Sequence, residues 1–393
     1  MTIVTFTNLF PSSVMPQHGL FVRERMRRVA TASGLPWRVV APVPAVTWPF
    51  RRGIYREWHA VPAVETWEGI EVQHPRYRHW PGLSLRRQAD AVAAGARPTV
   101  KALADAGPIV LDAHYVWPDG VAAATLAAEL DVPFVVTARG TDVNVVADDP
   151  VVRERIAAMA DRAAALFAVS GALAGRFAEV AGVATERVRE VRNGVDLERF
   201  RPGDSAGARR ELGLPAQGRL VLGVGRLAPG KGFLSAARVL SRLPDDVRLV
   251  LVGDGPDRAA IQATAGDRVH LLGSRPPDDV ATAMRAADLF VLPTLREGWP
   301  NVVTEALASG LRVVASRVGG IPEILGEPGD GAGPLGALVL PNDDAALLRA
   351  LRDVLAEPAD RATVRAFAER YGWDEPVEFL SGMFRRLLSG VAA

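Results

Sequence analysis

Short apolar runs alternate with amphipathic stretches along the whole chain. In the first half, runs with few polar interruptions are typical of parallel strands that are buried on both faces. These predicted strands are IVTF (3–6), WRVVAP (37–42), IVLD (109–112), FVVTA (134–138) and ALFAVS (165–170). Helical patterns cover residues 20–34, which Gly34 can terminate, and residues 119–130. Asp149 and Pro150 supply an N-cap and a first-turn proline for a further helix.

The second half repeats this alternation. Its predicted strands are RLVLGV (219–224), VRLVLVG (247–253), RVHLLG (268–273), LFVLP (289–293) and RVVAS (312–316). Two such series predict an α/β protein with two Rossmann-like domains, each built on a parallel sheet. We expect an N-terminal domain over residues 1–201 and a C-terminal domain over residues 202–373. Residues 374–393 are expected to contain a last helix, because apolar side chains recur there at helical spacing.

Composition excludes several classes of protein. The length of 393 residues suits two domains, and a net charge of +1 gives no reason to expect a nucleic-acid partner. The absence of cysteine excludes disulfides, cysteine-based zinc sites and thiol nucleophiles. The N-terminus lacks the basic segment of a signal peptide, and no run reaches the ~18 uncharged apolar residues of a membrane span. We therefore expect a cytoplasmic location.

The loop after the first strand of the second half is rich in glycine and carries two cations. Its sequence, GVGRLAPGKGF (223–233), begins with a formal match to the G-x-G-x-x-G/A fingerprint of dinucleotide-binding enzymes. That fingerprint needs a helix that begins within the glycine turn, whereas Pro229 and Gly230 lengthen this loop. Arg226 and Lys231 suit a diphosphate, because charge-assisted hydrogen bonds contribute about 1.5–3 kcal/mol each. An ordinary glycine-rich loop with two solvated cations explains the pattern equally well.

A second candidate segment is LPTLREGWPNVVTEALASGLRVVAS (292–316). A strand leads into a loop with Glu297, and Pro300 opens a helix that carries Glu305. The N-terminus of such a helix, at the carboxyl edge of a parallel sheet, is a place where anionic ligands bind. The two oxygens of a carboxylate such as Glu305 can accept both hydroxyls of a ribose. Alternatively, both glutamates are surface residues that the helix dipole favours.

Together, these segments resemble glycosyltransferase family 4. The glutamate pair in EGWPNVVTE (297–305) is its most specific match, and GR…KG (225–232), VGDGP (252–256) and NGVDLERF (193–200) agree in order and spacing. In the first half, FPSSVMPQHGLFVRERM (10–26), DAHYVWPDG (112–120) and TARGTDVN (137–144) match as well. The resemblance implies the GT-B fold, in which two Rossmann-like domains face a central cleft and a C-terminal helix crosses back to the first domain.

The resemblance also implies roles for individual residues. Arg226 and Lys231 would hold the donor pyrophosphate, Glu305 the ribose and Glu297 the transferred sugar. The remaining predicted donor-binding residues are Gly19, Arg139, Asn193, Gly298, Trp299, Pro300, Asn301 and Val302. We expect the catalytic residues to be His114, Arg226, Lys231 and Glu297, with His114 stabilising the transition state through a sugar hydroxyl. Arg139 stands where the family often has histidine, which predicts a cation near the acceptor or the phosphates.

These matches predict a retaining hexosyltransferase that uses a UDP- or GDP-linked sugar in exopolysaccharide or cell-surface glycan synthesis. It is expected to need no cofactor or metal, since the sequence contains no D-x-D motif. The acceptor is expected to be a glycan or a lipid-linked hydroxyl. Five tryptophans within residues 37–80 suggest an acceptor groove, contact with an anionic membrane, or packing beneath a loop. The alternative functions are other chemistry on the same fold, such as an epimerase or phosphorylase, and nucleotide binding without catalysis.

Overall fold

The computed structural model describes residues 1–46, 53–82, 84–326, 333–357 and 360–390. The chain divides into two units, Met1–Asn193 with Asp374–Ala393 (unit 1) and Gly194–Trp373 (unit 2). The division therefore falls eight residues before the predicted boundary at 201/202. The reason is that residues 194–201 bond within unit 2, where Val195 N donates to Tyr371 O at 2.8 Å and the Arg365 guanidinium donates to Leu197 O at 2.9 Å.

Unit 1 contains most of the strands. These are β1 (Thr2–Phe6), β2 (Trp37–Val40), β3 (Val43–Ala45), β4 (Val64–Trp67), β5 (Ile70–Gln73), β6 (Arg76–Arg78), β7 (Ile109–His114), β8 (Phe134–Ala138), β9 (Ala165–Ala168) and β10 (Val188–Glu190). Its first seven helices are α1 (Leu20–Ser33), α2 (Ile54–Ala60), α3 (Gln88–Asp105), α4 (Val121–Leu130), α5 (Thr141–Asn144), α6 (Pro150–Ala160) and α7 (Gly171–Ala181).

The main sheet of unit 1 has the strand order β10-β9-β8-β7-β1-β2-β5-β4. Neighbouring strands in it are parallel except for the β4–β5 pair, and a separate small sheet pairs β3 with β6. The order reverses between β1 and β7. In open α/β sheets the crevice beyond the carboxyl ends of the strands at such a reversal is the usual place for a ligand. The loops that follow β1 and β7 are therefore of interest.

Within the described residues, the strands of unit 2 are β11 (Arg219–Val224), β12 (Val247–Val252), β13 (Val269–Gly273), β14 (Leu289–Leu292), β15 (Arg312–Ser316) and β16 (Gly336–Val339). Its helices are α8 (Ser205–Glu211), α9 (Phe233–Leu240), α10 (Arg258–Ala265), α11 (Pro277–Ala286), α12 (Asn301–Ala308), α13 (Ile321–Leu325), α14 (Asp344–Ala356) and α15 (Arg361–Ala368). The sheet is parallel throughout, in the order β13-β12-β11-β14-β15-β16. Its reversal lies between β11 and β14, the strands that precede the two candidate segments.

Local sequence signals fix several helix ends as predicted. Helix α1 stops at Gly34, whose φ of 67° is a left-handed conformation that glycine adopts without a steric penalty. Helix α6 begins at Pro150, and the Asp149 side chain accepts hydrogen bonds from the backbone N–H groups of Val151 and Val152. Both boundaries follow from residues whose preferences do not depend on tertiary contacts.

The last helix, α16 (Asp374–Leu388), belongs to unit 1. Its buried residues Leu380, Met383 and Phe384 join Val22 and Met26 of α1 in one hydrophobic core. The Ser381 hydroxyl donates to Val29 O at 3.3 Å, and the Arg385 guanidinium donates to Ser33 O. The C-terminal residues thus supply one wall of the N-terminal core. Among the helices of the described residues, none is long and apolar enough to cross a membrane.

Candidate active site

The two candidate segments of unit 2 lie side by side. Gly230 O accepts hydrogen bonds from Leu295 N at 2.9 Å and from the Thr294 hydroxyl at 3.0 Å. Gly232 approaches the same segment so closely that a Cβ would stand 1.9 Å from Pro293 O, and its φ is 70°. Only glycine can occupy this position, because any side chain would collide with backbone. Residues more than sixty positions apart in sequence are thereby brought to one edge of the sheet.

Lys231 and Glu297 form a direct ion pair at this edge. The Lys231 ammonium donates to Glu297 Oε1 at 2.6 Å, and the glutamate side chain is largely buried. The sequence analysis assigned Lys231 to the donor pyrophosphate and Glu297 to the transferred sugar. In the structure the two side chains contact each other. Charge-assisted contacts of this kind are strong. A bound diphosphate would therefore meet a cation whose position is already defined by a carboxylate.

Helix α12 presents its N-terminus beside this pair. Pro300 precedes the helix, and the buried ring of Trp299 packs against Tyr371 with a centroid distance of 5.6 Å. The carbonyl of Gly298 accepts a hydrogen bond from Gly320 N at 2.9 Å, which ties the loop before α12 to the segment before α13. The N–H of Val302 makes no hydrogen bond within the described part of the chain. Such an N–H at a helix start favours an anion.

Glu305 lies one helical turn further on. Its side chain makes no hydrogen bond or ion pair with the other described residues, although burial raises the pKa of its carboxyl group to about 7. The positive charge of Arg199 opposes this increase, and the negative charge of Asp196 adds to it. A partly buried carboxyl group with no partner among the described residues leaves both oxygens able to accept hydrogen bonds from a ligand or from water. It is consistent with a site whose polar ligand supplies the missing hydrogen bonds.

The glycine-rich loop does not have the geometry of the dinucleotide fingerprint. After Gly225 the chain continues through a 3-10 turn at Pro229–Lys231, and α9 begins only at Phe233. The turn after β12 covers the start of the loop, since Leu227 N donates to Asp254 O at 2.9 Å. Arg226 is exposed and has no side-chain partner among the described residues. The loop therefore offers two basic side chains rather than a helix N-terminus in the glycine turn.

In unit 1, the predicted residues lie at the reversal between β1 and β7. Gly19 precedes α1 with a φ of 70°, and a Cβ there would stand 2.2 Å from Leu9 O. Glycine is therefore required at position 19 because the backbone of Leu9, in the same loop, lies so close to it. His114 is the last residue of β7, and Arg139 follows β8. The carboxyl ends of these adjacent strands place both side chains at one edge.

Both ring nitrogens of His114 are occupied inside the protein. Nε2 lies 2.8 Å from Asp112 Oδ2, and Nδ1 accepts a hydrogen bond from the Arg139 guanidinium. Since a guanidinium can only donate, Nδ1 carries no proton and Nε2–H donates to the carboxylate. The ring is about 1% exposed. This geometry makes His114 a support for Arg139 and leaves it no nitrogen for the predicted contact with a sugar hydroxyl.

We expect His114 to remain singly protonated, on Nε2, from about pH 5.5 to 8. The pKa of its imidazole is lowered to about 4, mainly by burial and also by the charge of Arg139, against the raising effect of Asp112. Long-range ¹H–¹⁵N correlation spectra of the six histidines would measure this, with His114→Gln providing the assignment. An imidazolium or an Nδ1–H ring in this range would contradict the hydrogen-bond assignment.

Arg139 connects the other predicted residues of unit 1. Its Nη1 donates to Asn193 Oδ1 at 3.1 Å, and its guanidinium carbon lies 5.1 Å from the centroid of the Phe21 ring. Arg139 thus connects His114 at the end of β7, Asn193, and Phe21 in the first turn of α1. A guanidinium held on two sides keeps its remaining N–H groups in a fixed direction.

Two aspartates of this network escaped the sequence-based prediction. Asp112 lies two residues before His114 on β7, and this period-2 spacing puts both side chains on one face. The Asp142 carboxylate accepts from Val116 N and Gly140 N, each at 2.7 Å, so it holds together the loops after β7 and β8. The spacing of Asp112 and His114 was a usable signal. The contact between Asp142 and Val116 joins residues far apart in sequence, and no local pattern indicates it.

The described tryptophans within residues 37–80 differ in their exposure to solvent. Trp37 is buried and donates through Nε1 to the Thr5 hydroxyl at 2.9 Å. Trp58 and Trp67 are partly buried, Trp80 is exposed, and Trp48 lies outside the described residues. Packing therefore accounts for Trp37, and an aromatic acceptor groove that uses it is excluded.

Comparison with known families gives a clear result. The model described as "Glycosyltransferase Family 4" matches residues 59–199, and the model described as "Glycosyl transferases group 1" matches residues 218–357. A putative teichuronic acid biosynthesis glycosyltransferase of Bacillus subtilis is 32% identical over 334 residues, which is 83% of this chain and 84% of that protein. The chain belongs to glycosyltransferase family 4.

Other relatives match over a smaller part of the chain. A D-inositol 3-phosphate glycosyltransferase of Acidothermus cellulolyticus is 38% identical over 237 residues, which is 55% of this chain and 52% of that protein. Solved structures confirm the GT-B fold. A sucrose-phosphate synthase from Thermosynechococcus elongatus superposes with a TM-score of 0.75 at 21% identity, over 99% of both chains. Anabaena HepE in complex with UDP gives 0.69 at 20% identity, over 100% of both chains.

Proposed function

We propose that this glycosyltransferase is a retaining, metal-independent hexosyltransferase that uses a UDP- or GDP-linked sugar. The observation that carries the proposal is the arrangement in unit 2, where the Lys231–Glu297 pair lies in the loops before α12 and Glu305 lies on α12 with no partner among the described residues. A cation, an open helix N-terminus and a lone carboxyl group correspond to the diphosphate and the ribose of one donor molecule. The solved structures of HepE with UDP and with UDP-glucose support a uridine nucleotide in particular.

In the proposed reaction, the bond between sugar C1 and the diphosphate oxygen breaks, and the acceptor oxygen forms the new bond to C1. The acceptor proton passes to an oxygen of the donor phosphate on the same face of the sugar, which preserves the anomeric configuration. Arg226, Lys231 and the Val302 N–H stabilise the charge that grows on the leaving diphosphate. Glu297 binds the transferred sugar and holds Lys231 in place.

We place this reaction in the cytoplasm, in the synthesis of an exopolysaccharide or another cell-surface glycan. The putative teichuronic acid biosynthesis glycosyltransferase of Bacillus subtilis supports this assignment, because the match covers most of both chains. The acceptor in the proposal is a glycan or a lipid-linked hydroxyl. The fixed guanidinium of Arg139 would orient an anionic group of the donor or acceptor near the carboxyl edge of unit 1.

Donor affinity should depend on pH through Glu305. The raised pKa of about 7 means that this carboxyl group is partly protonated near neutrality, and ribose hydroxyls need the ionised form as acceptor. UDP-glucose affinity should therefore increase roughly tenfold between pH 6 and pH 8, since the ionised fraction changes by that factor. Calorimetric titration would measure it, with UDP-glucose chosen because its diphosphate does not titrate in this range.

The matched variants are Glu305→Gln and Glu369→Gln, which each neutralise one glutamate of unit 2. Glu305→Gln should bind more weakly and without this pH dependence. Glu369→Gln, at an exposed position, should behave like the parent protein. Retention of the full pH dependence in Glu305→Gln would show that another group is responsible.

The proposed function is tested first by thermal stabilisation in the presence of a metal chelator. UDP, GDP, ADP, NAD and NADP are compared at equal concentration. A specific ligand at 100 times its dissociation constant should stabilise the protein by about 2.7 kcal/mol. Stabilisation by UDP or GDP supports the donor site. Stabilisation by NAD or NADP alone would overturn the proposal. Stabilisation by a nucleoside diphosphate only after a divalent metal is added would overturn its metal-independent part, and no stabilisation by any of the nucleotides would overturn the donor site.

The stereochemical part of the proposal needs a product analysis. The donor sugar that stabilises the protein is supplied with candidate acceptors, and the anomeric configuration of the product is read from its ¹H NMR coupling constants. An α-linked donor should give an α-linked product. An inverted product would leave the glycosyltransferase assignment in place and exclude the retaining mechanism.

A further inference from the structure

Three of the large apolar side chains that unit 1 exposes stand two residues from an exposed arginine in sequence. Ile54 is 50% exposed, Trp80 is 58% exposed and Leu85 is 42% exposed. We call this region the Trp80 surface, and it consists of Ile54, Arg56, Arg78, Trp80, Leu85 and Arg87. Scattered exposed leucines are ordinary, but an exposed tryptophan among other apolar residues and cations is informative.

A hydrogen-bond chain centred on His79 joins the three segments of this surface. The Tyr55 hydroxyl lies 3.2 Å from His79 Nε2, and the Ser84 hydroxyl lies 3.0 Å from His79 Nδ1. Each exposed apolar residue directly adjoins a member of this chain in sequence: Ile54 precedes Tyr55, Trp80 follows His79 and Leu85 follows Ser84. This hydrogen-bond chain therefore ties helix α2, the end of β6 and the turn before α3 to one another.

Further contacts hold the same segments in place. The Arg76 guanidinium donates to Trp58 O at 2.7 Å and also to Val61 O, which fixes the end of α2 to β6. Ser84 N donates to Trp80 O at 3.1 Å and closes the turn that carries Trp80. The surface is thus formed before any partner arrives.

The charges of this surface are uncompensated. Arg56, Arg78 and Arg87 are exposed, and their side chains make no hydrogen bond or ion pair with residues in the described ranges. The neighbouring Arg86 differs, because its Nε donates to Asp149 Oδ2 at 2.9 Å. Residues 1–110 contain fourteen basic and seven acidic residues, although the whole chain is nearly neutral. The positive charge is therefore local, and it attracts an anionic surface rather than acting over the whole molecule.

We propose that the Trp80 surface binds a bilayer rich in anionic phospholipids. Tryptophan prefers the level of the lipid headgroups, where its ring is amphipathic, and arginines beside it bind the phosphates. Each of the three exposed apolar residues stands two positions from one of these arginines in sequence, and this mixture of apolar and cationic side chains fits an anionic lipid interface. The two remaining classes of partner, a protein and a nucleic acid, are outcomes of the test below.

This surface lies next to the part of unit 1 that leads to Gly19. The rings of His18 and Trp58 make an edge-to-face contact with a centroid distance of 5.1 Å, so α2 touches the loop between β1 and α1. A lipid-linked acceptor would then reach the protein from the bilayer to which α2 is bound. This last step rests on the proposed function, whereas the membrane contact does not.

The experiment measures the partition of the whole protein into vesicles by flotation. Vesicles of phosphatidylcholine alone are compared with vesicles that contain roughly one third phosphatidylglycerol. We expect binding only to the anionic vesicles and weaker binding at high salt. Each exposed arginine near such a surface should contribute a factor of about five, so Arg78→Ser with Arg87→Ser should lower the partition coefficient roughly 25-fold.

A matched control removes two exposed arginines elsewhere in unit 1, by Arg162→Ser with Arg187→Ser. It changes the net charge equally and should leave the partition coefficient within about threefold of the parent. Trp80→Ser should also reduce binding, whereas Val151→Ser on α6 should not. UDP binding is measured on every sample, so that a misfolded variant or a failed donor assignment is recognised separately.

Three results would overturn the proposal. The first is equal loss of vesicle binding in the Arg78/Arg87 pair and in the control pair, which indicates a non-specific charge effect. The second is absence of binding to anionic vesicles by a protein that binds UDP. The third is tighter, Arg78-dependent binding to an RNA oligonucleotide or to a second copy of the chain than to the vesicles.

Discussion

Replacement of Lys231 by alanine should lower kcat/KM for sugar transfer by roughly 10²–10³-fold. Nucleoside diphosphate affinity should fall by about 10–100-fold, because one charge-assisted contact is worth about 1.5–3 kcal/mol. Two effects combine in this variant. The diphosphate loses its fixed cation, and the largely buried Glu297 carboxylate loses the partner that lies 2.6 Å away. An unpaired carboxylate beside the phosphates would repel them.

Lys101→Ala is the matched control, since Lys101 is the other lysine of the chain. It is exposed on α3 and pairs with Asp105, so its loss should change neither kcat/KM nor affinity. The double variant Lys231→Ala with Glu297→Gln separates the two effects. It should recover part of the nucleotide affinity but not the activity, because the repulsion is gone and the cation is still missing. Unchanged affinity in Lys231→Ala would remove the pyrophosphate assignment.

Replacement of Phe384 by alanine should destabilise unit 1 by about 3–5 kcal/mol, the usual effect of removing a buried aromatic ring. Phe384 is fully buried among residues of α1 and the main sheet, although it lies near the C-terminus. We expect the unfolding temperature of unit 1 to fall by roughly 10 °C. Hydrogen exchange read by mass spectrometry would measure the change in each unit.

The control for this variant is Phe290→Ala in β14, which removes an equally buried ring from unit 2. Phe384→Ala should reduce protection in peptides from residues 1–193, and Phe290→Ala in peptides from residues 194–373. UDP binding should survive better in Phe384→Ala. Equal loss of protection in both units would contradict the assignment of α16 to unit 1.

The strands that the sequence predicted are those with continuous apolar runs. All ten predicted strands are present, because central strands of a parallel sheet are buried on both faces and must be apolar. The β4–β5 pair escaped prediction, since it lies at the edge of its sheet, where most of its residues are exposed or only partly buried and no continuous apolar run forms. Strands β10 and β16 were not predicted either, and β10 has only three residues, too few for a periodic signal.

The candidate site was predicted less completely than the fold. The spacing of glycine, proline and glutamate located the loops after β11 and β14. Glycine and proline favour particular backbone conformations, and glutamate is favoured near the start of a helix. The pairing of Lys231 with Glu297 joins segments sixty-six residues apart, and nothing in either segment specifies the distance between the two side chains. The same holds for His114, whose imidazole is occupied by Asp112 and Arg139. Such partners follow from the fold and could not be derived from the spacing of motifs.

The position of α16 has a consequence for the order in which the protein folds during synthesis. The ribosome makes residues 1–193, then all of unit 2, and only afterwards the helix that covers α1. At about 5–20 residues per second, the roughly 180 residues of unit 2 take about 10–40 s. Throughout that interval the apolar side of α1 lacks its cover, so the nascent N-terminal unit is a natural substrate for chaperones that bind exposed apolar surface. Unit 2 has no such dependence and can complete its core first.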